Sequence, residues 1–210
     1  YYDIIFQCAV SASVPNSVIN PNFDFKSNLI GTFNMLEFSR KTKSKTFIFL
    51  SSVSVFDPKN NLPLIENSKK NPTSPYGASK NSSENFCNAF HKTFGMDIRI
   101  ARIFNTYGPG SKSLFIHDLM KKISNSSSKV HLMGSGNQTR DYVYISDLIE
   151  GILLIAKSGK PGDDYNICSG NPLKIKNIAN MILSELGLKD KKIIFDKKRY
   201  PGDIDHWYGH

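Results

Sequence analysis

The sequence predicts an α/β fold: a parallel sheet flanked by helices, followed by a smaller mixed α/β lobe. Three observations predict it. Short apolar runs alternate with helix-spaced patterns from the first residues onward, the signature of βαβ units. The runs that read as strands end in small or polar residues, as at Ser51-Ser52, where open α/β sheets take their ligands. Beyond about residue 110 the texture changes to shorter strands and tight turns, so residues 1–110 read as a sheet domain and 111–210 mainly as a second lobe.

Taken in order, residues 3–7 form an apolar strand that feeds a loop of small residues at 9–13. Residues 23–40 carry Phe25, Leu29, Phe33 and Leu36 at helical spacing. Residues 46–50 are β-branched and aromatic and form the next strand. A polar loop runs to Pro75, which suits the start of a helix over 76–93. Residues 97–101 make a third strand, and 105–113 a turn-rich stretch around Gly108-Pro109-Gly110. In the second half a helix is expected at 114–124 and a strand at 129–133. A tight turn at 134–137 follows, then a helix capped by Ser146 or Asp147 and running to about Lys157. Strands at 164–168 and 192–196 flank a helix at about 175–186 that Gly187 ends.

Composition narrows the function. Of 210 residues, 27 are Lys or Arg and 18 Asp or Glu, a formal charge of +9 that favours anionic partners. The basic residues are scattered, without the stripe of Lys, Arg and aromatics that a single-strand binder needs, so a small phosphate ester is preferred to nucleic acid. No apolar run of eighteen residues occurs, which argues against a spanning helix and a membrane partner. Cys8, Cys87 and Cys168 are far apart and lack zinc-ligand spacing, so no metal is expected and a reducing cytoplasm suits them. The opening Tyr1-Tyr2-Asp3-Ile4-Ile5-Phe6 reads as a strand cut from a longer protein rather than a signal peptide.

One spacing carries chemistry. Tyr76 and Lys80 stand one turn apart on the same helix face, and a nearby ammonium favours phenolate, which predicts a lowered Tyr76 pKa. With nine Tyr in the chain such a spacing arises about once by chance, and by itself it describes a solvated helix face. Ser52 at a strand end supplies the context. A Ser hydroxyl, a Tyr and a Lys that converge there suit hydride transfer, with Tyr exchanging the substrate hydroxyl proton.

Further motifs follow in order. They are Asn28-Leu-Ile-Gly31-Thr32, Ser51-Ser52 with Val55-Phe56, Ser74-Pro-Tyr76-Gly-Ala-Ser-Lys80 and Arg102-Ile-Phe104-Asn105-Thr-Tyr107-Gly108-Pro109. Gly134-Ser-Gly136-Asn-Gln-Thr-Arg140-Asp141-Tyr142, Tyr165-Asn166-Ile167 and Pro201-Gly202-Asp203 complete the series. Through them the chain resembles the extended short-chain dehydrogenase/reductases, specifically the NAD-dependent nucleotide-sugar epimerases and dehydratases, over nearly its whole length. The resemblance implies a Rossmann-like parallel sheet, here without its N-terminal part, and a substrate-binding lobe. It implies Tyr76 as acid/base, Lys80 as its partner that also holds a ribose, and Ser52 as the hydroxyl that orients the substrate oxygen. It places Cys8, Ala9, Val10, Ser27, Tyr76, Lys80 and Phe104 on NAD, and Ser52, Asn105, Leu114, Arg140 and Asp203 on a nucleotide-diphosphate sugar. Arg140 has its own warrant, because a guanidinium fork matches diphosphate oxygens.

The chain departs from the family pattern at Phe56, Asp57 and Tyr200, where Tyr, Gly and Arg are usual; Arg199 stands ready to substitute for the last. The Gly-rich turn that receives a dinucleotide pyrophosphate is expected upstream of residue 1, and the C-terminal end is expected to continue. The resemblance also implies a homodimer built on the helices at 23–40 and 76–93, with Phe86 and Phe90 as candidate contacts and a sheet-facing position as the equal alternative for both. The reaction turns on the two residues after Ser52. Dehydratases carry an acidic pair there, and decarboxylases an acid in the same segment, whereas Val53 and Ser54 are inert at neutral pH. A 4-epimerase needs only Tyr and the hydride cycle, and is the expectation. The alternatives are a dehydratase, decarboxylase, reductase or synthase of the same family, or a non-catalytic nucleotide-sugar-binding protein.

Overall fold

The computed structural model describes residues 2–199 and 201–210. Its main sheet has the order β1-β2-β3-β7, with all strands parallel. These are β1 (Ile4–Gln7), β2 (Thr46–Ser52), β3 (Ile98–Ile103) and β7 (Asp164–Ile167). Register is set by the alternation within each strand. In β2, Phe47 and Phe49 turn to one face and Ile48 to the other. Both faces of β2 and β3 are therefore dry, which is why these strands read as near-continuous apolar runs.

On the first face lie α3 (Gly31–Thr42) and α4 (Pro75–Phe94), which close a core of Ile5, Leu36, Phe47, Phe49, Cys87, Phe90 and Ile98. On the second lies α6 (Ile145–Ser158), whose Leu148, Ile155 and Ala156 pack with Ile48, Ala101 and Ile167. Although α6 and β7 come from the second hundred residues, they return to the main sheet. A separate core of Leu119, Ile123, Val130, Leu132, Ala179 and Leu183 joins α5 (Phe115–Asn125), β5 (Lys129–Leu132), α7 (Ile175–Glu185) and β9 (Lys192–Phe195).

Several expectations need correction. The helix foreseen at 23–40 starts earlier and is not uniform. It comprises α2 (Pro21–Asp24), a π-helical stretch Phe25–Ile30 with a wider turn, and then α3. Before it stands an unforeseen helix, α1 (Val14–Ile19), capped by Ser13 Oγ, which accepts from Asn16 N at 3.3 Å. Asn105–Tyr107, read as turn, is strand β4 and pairs with β6 (Thr139–Tyr144), which also pairs with β8 (Pro172–Lys174) and β10 (His206–Trp207). The side chains of Ser146 and Asp147 do not cap α6. They bond each other at 3.0 Å inside its first turn, and the helix begins at Ile145. Phe90 faces the sheet, whereas Phe86 stands on the outer face, edge-on to Phe33 at 5.5 Å. Among the described residues no helix is long and apolar enough to cross a membrane.

Candidate active site

Ser74 and Pro75 fix where α4 begins. The Ser74 hydroxyl accepts from Gly77 N at 3.1 Å, and Pro75 fills the first turn, where a missing N–H costs nothing. Gly77 lets that turn approach the end of β2. A Cβ there would lie 2.8 Å from Pro72 Cβ and press on the Ser54 carbonyl oxygen, both held by the backbone. Gly→Ala in a helix usually stabilises by about 1 kcal/mol. Here the clash reverses the sign, and Gly77→Ala should lower stability by about 1–3 kcal/mol in a urea titration. A stabilised variant would show that the approach is not tight.

With α4 so placed, Tyr76 and Lys80 are buried beside Ser52, whose hydroxyl is near enough to the Tyr76 phenol to favour its ionised form. Ser52 Oγ also accepts from Ser54 N at 3.2 Å in the short 3₁₀ turn Val53–Val55. The expected lowering of the Tyr76 pKa is not found. Burial pushes the phenol up, the Ser52 hydroxyl opposes, and the Asp24 charge adds to the rise. The reason is the position of Lys80, whose Nζ donates to the Leu50 carbonyl at 2.5 Å and lies 4.5 Å from the centre of the Phe49 ring. Burial brings that ammonium down to about 8.

On the strand-end side, Cys8, Ala9 and Val10 are exposed just past β1, and the Lys80 charge reaches the Cys8 thiol. Ser27 is half-buried in the π-helix, and Phe104 is buried after β3. On the other side a cavity of about 100 Å³ is lined by Val53, Ser54, Ser74, Asn105, Arg140 and Asp203, among others. Asn105 Nδ2 donates to the Asp141 carbonyl at 3.1 Å. Arg140 and Asp203 meet each other at 2.8 Å, and Arg199 Nε approaches Asp203 at 3.5 Å, so one carboxylate orients two guanidinium groups. Leu114 does not line this cavity; it is exposed, with a φ of +74° ahead of α5. Tyr200 lies outside the described residues.

Sequence reasoning missed the polar cluster beneath the site. Arg102, fully buried, reaches Glu84 with Nε and Nη2, both at 2.9 Å, and also bonds Asp164. Ser51 Oγ donates to Glu84 at 2.6 Å, and Lys70 Nζ at 3.0 Å. The signal for Glu84 was present, since it follows Lys80 by four residues on the same helix face.

The residues present fit the ribose end of a dinucleotide. Lys80 has one N–H spent on Leu50 and two left to donate, and the loop after β1 is open beside it.

A family described as the NAD dependent epimerase/dehydratase family matches residues 1–168. A putative UDP-glucose 4-epimerase of Methanocaldococcus jannaschii is 33% identical over 202 residues, which is 94% of this chain but 65% of the relative. The chain thus spans just under two thirds of that relative's length. A UDP-N-acetylglucosamine 4-epimerase from Methanobrevibacter ruminantium, solved with UDP-N-acetylmuramic acid, superposes with a TM-score of 0.90 at 30% identity, over 99% of this chain and 67% of that one. A dTDP-glucose 4,6-dehydratase from Streptomyces venezuelae, solved with NAD bound, gives 0.89 at 26% identity, over 99% and 64%.

Proposed function

Since the chain belongs to the NAD dependent epimerase/dehydratase family, we propose that it carries the catalytic and sugar-binding parts of a nucleotide-diphosphate-sugar 4-epimerase. The observation that carries this reading is the lining of the cavity beside Ser52. Val53 and Ser54 stand there, and Asp203, the carboxylate in that lining, is committed to Arg140. Loss of water from a sugar needs a free acid and base. Asp57, the next acid along the chain, is turned away onto Lys59 N and Asn71.

In this reading Tyr76 takes the proton of the 4-hydroxyl as C4 is oxidised to the ketone and gives it back to the same oxygen when C4 is reduced from its other face, while Ser52 holds that oxygen. Lys80, with Cys8, Ala9, Val10, Ser27 and Phe104, would hold NAD, which supplies the hydride acceptor when bound. Arg140, flanked by Arg199 and oriented by Asp203, receives the diphosphate with Asn105 beside it. Residues 1–110 then carry mainly the dinucleotide side and 111–210 mainly the sugar side. Three free cysteines suit a cytoplasmic protein. The outward Phe33 and Phe86 on α3 and α4 suit a homodimer.

The test is product identity. Full-length protein with UDP- and dTDP-hexoses in deuterated water should give the C4 epimer with no deuterium on carbon. A 4-keto-6-deoxy product carrying deuterium would assign it to the dehydratases. Arg140→Ala should raise KM about ten- to a hundredfold, the value of a charge-assisted contact, with a smaller change in kcat. An unchanged KM would remove Arg140 from the diphosphate site.

A further inference from the structure

Three segments meet under Tyr76 and Lys80 in a polar knot that the proposed reaction leaves unused. Asp24, 1% exposed, ends α2 where the π-helical stretch begins. Its Oδ2 accepts from Ser79 Oγ at 2.7 Å, and its Oδ1 from Asn28 Nδ2 at 3.0 Å. Asn28 in turn accepts from Ser11 N at 2.7 Å, in the loop after β1, and reaches Ser79 Oγ at 3.1 Å. Ser79 immediately precedes Lys80 on α4, and its Oγ is also 2.9 Å from the Tyr76 carbonyl. A hydroxyl has one proton, and a carboxylate is a stronger acceptor than a neutral carbonyl, so that proton belongs to Asp24.

A buried carboxylate is costly unless its charge is used, and a neutral amide would hold the same shape for less. Burial pushes the Asp24 carboxyl up, and the Ser79 hydrogen bond, the Lys80 charge and the Asn28 hydrogen bond oppose that rise. We propose that Asp24 is a positioning residue of this site: clamped on Ser79 and Asn28, it fixes the start of α4 against the loop after β1 and sets a negative charge beside the Lys80 ammonium. Its catalytic meaning rests on the 4-epimerase reading.

The groups that face Lys80 are few. Cys8 comes from the loop after β1, Asp24 from α2, and Tyr76, Glu84 and Cys87 from α4 itself. Arg102 from β3 and Lys70 are taken by Glu84. The side chains of α1, β2 and the 3₁₀ turn include no titratable group. Burial draws the Lys80 ammonium down to about 8, and the Asp24 charge opposes that fall. Removing Asp24 must therefore lower it further.

The experiment uses full-length protein carrying carbon-13 lysine, with the Lys80 signal identified by its loss in Lys80→Arg. In Asp24→Asn the titration midpoint of that signal should fall by about half a pH unit or more. Turnover should fall about tenfold or more with little change in KM, as expected for a reacting group slightly misplaced. Asp24→Ser, which is smaller and cannot crowd the site, serves if the Asn variant does not fold. An unchanged midpoint, with only a lower melting temperature, would make Asp24 a structural residue and overturn the proposal. If the unmodified protein turns over no nucleotide-sugar, the reaction assignment fails, while the Lys80 midpoint still decides the role of Asp24.

Discussion

Tyr76→Phe in the full-length protein should lower turnover by about 10²–10⁴-fold while leaving nucleotide-sugar affinity nearly unchanged. The ring is buried and keeps its packing in the variant, so stability is a poor explanation for any loss. What disappears is the proton acceptor beside Ser52. Because burial raises the phenol, the wild-type rate should climb with pH through and beyond neutrality as the phenolate fraction grows. The Phe variant should lose that slope. Steady-state kinetics across pH on both proteins checks this. Wild-type turnover in Tyr76→Phe would dissolve the Ser52–Tyr76–Lys80 assignment and promote the reading of a binding protein.

The largest effect on folding should come from Arg102→Met. It leaves Glu84, itself fully buried, with Ser51 and Lys70 as its remaining partners, and such breakage costs about 3–5 kcal/mol. Burial alone would raise the Glu84 carboxyl, but the hydrogen bonds and charge of Arg102 outweigh it and hold it below the usual range. A group lowered on folding contributes stability above the usual carboxylate range and loses it as pH falls through its depressed value. Asp164 pulls the other way, since burial raises it. The bidentate geometry at Glu84 makes its term the one to follow. The expected result is a lowered urea midpoint for Arg102→Met at neutral pH, with the gap to wild type narrowing in acid. Adding Glu84→Gln should recover part of the loss. A single-variant cost under about 1 kcal/mol would mean the pair contributes little.

Legibility in the sequence followed range and polarity. β2 and β3 were readable because strands buried on both faces must be runs such as Phe47-Ile48-Phe49, and β1 because Ile4-Ile5-Phe6 is itself an apolar run. β4, β8 and β10 were not, because each has only two or three residues and exists through pairing with β6. Ser52, Tyr76 and Lys80 could be found because their spacing is local to one strand end and one helix turn. Asp24, Ser79 and Arg102 could not, because isolated polar residues look like surface until the fold closes over them. The apparent Tyr76–Lys80 pairing misled for a related reason: helix spacing fixes which face a side chain takes, not which acceptor it finds, and Lys80 found Leu50.

β1 has a consequence of its own. It is the terminal strand of the main sheet, and among the described residues no strand pairs with its outer side. Ile4 and Phe6 are exposed on one face of the strand, at 41% and 37%. Neither proline nor lysine interrupts Ile4–Gln7. Alternate backbone N–H and C=O groups on the outer side therefore form a ready template for another extended chain. Handled as a separate piece, these 210 residues carry an aggregation seam at β1, and any work on them at high concentration starts from that edge.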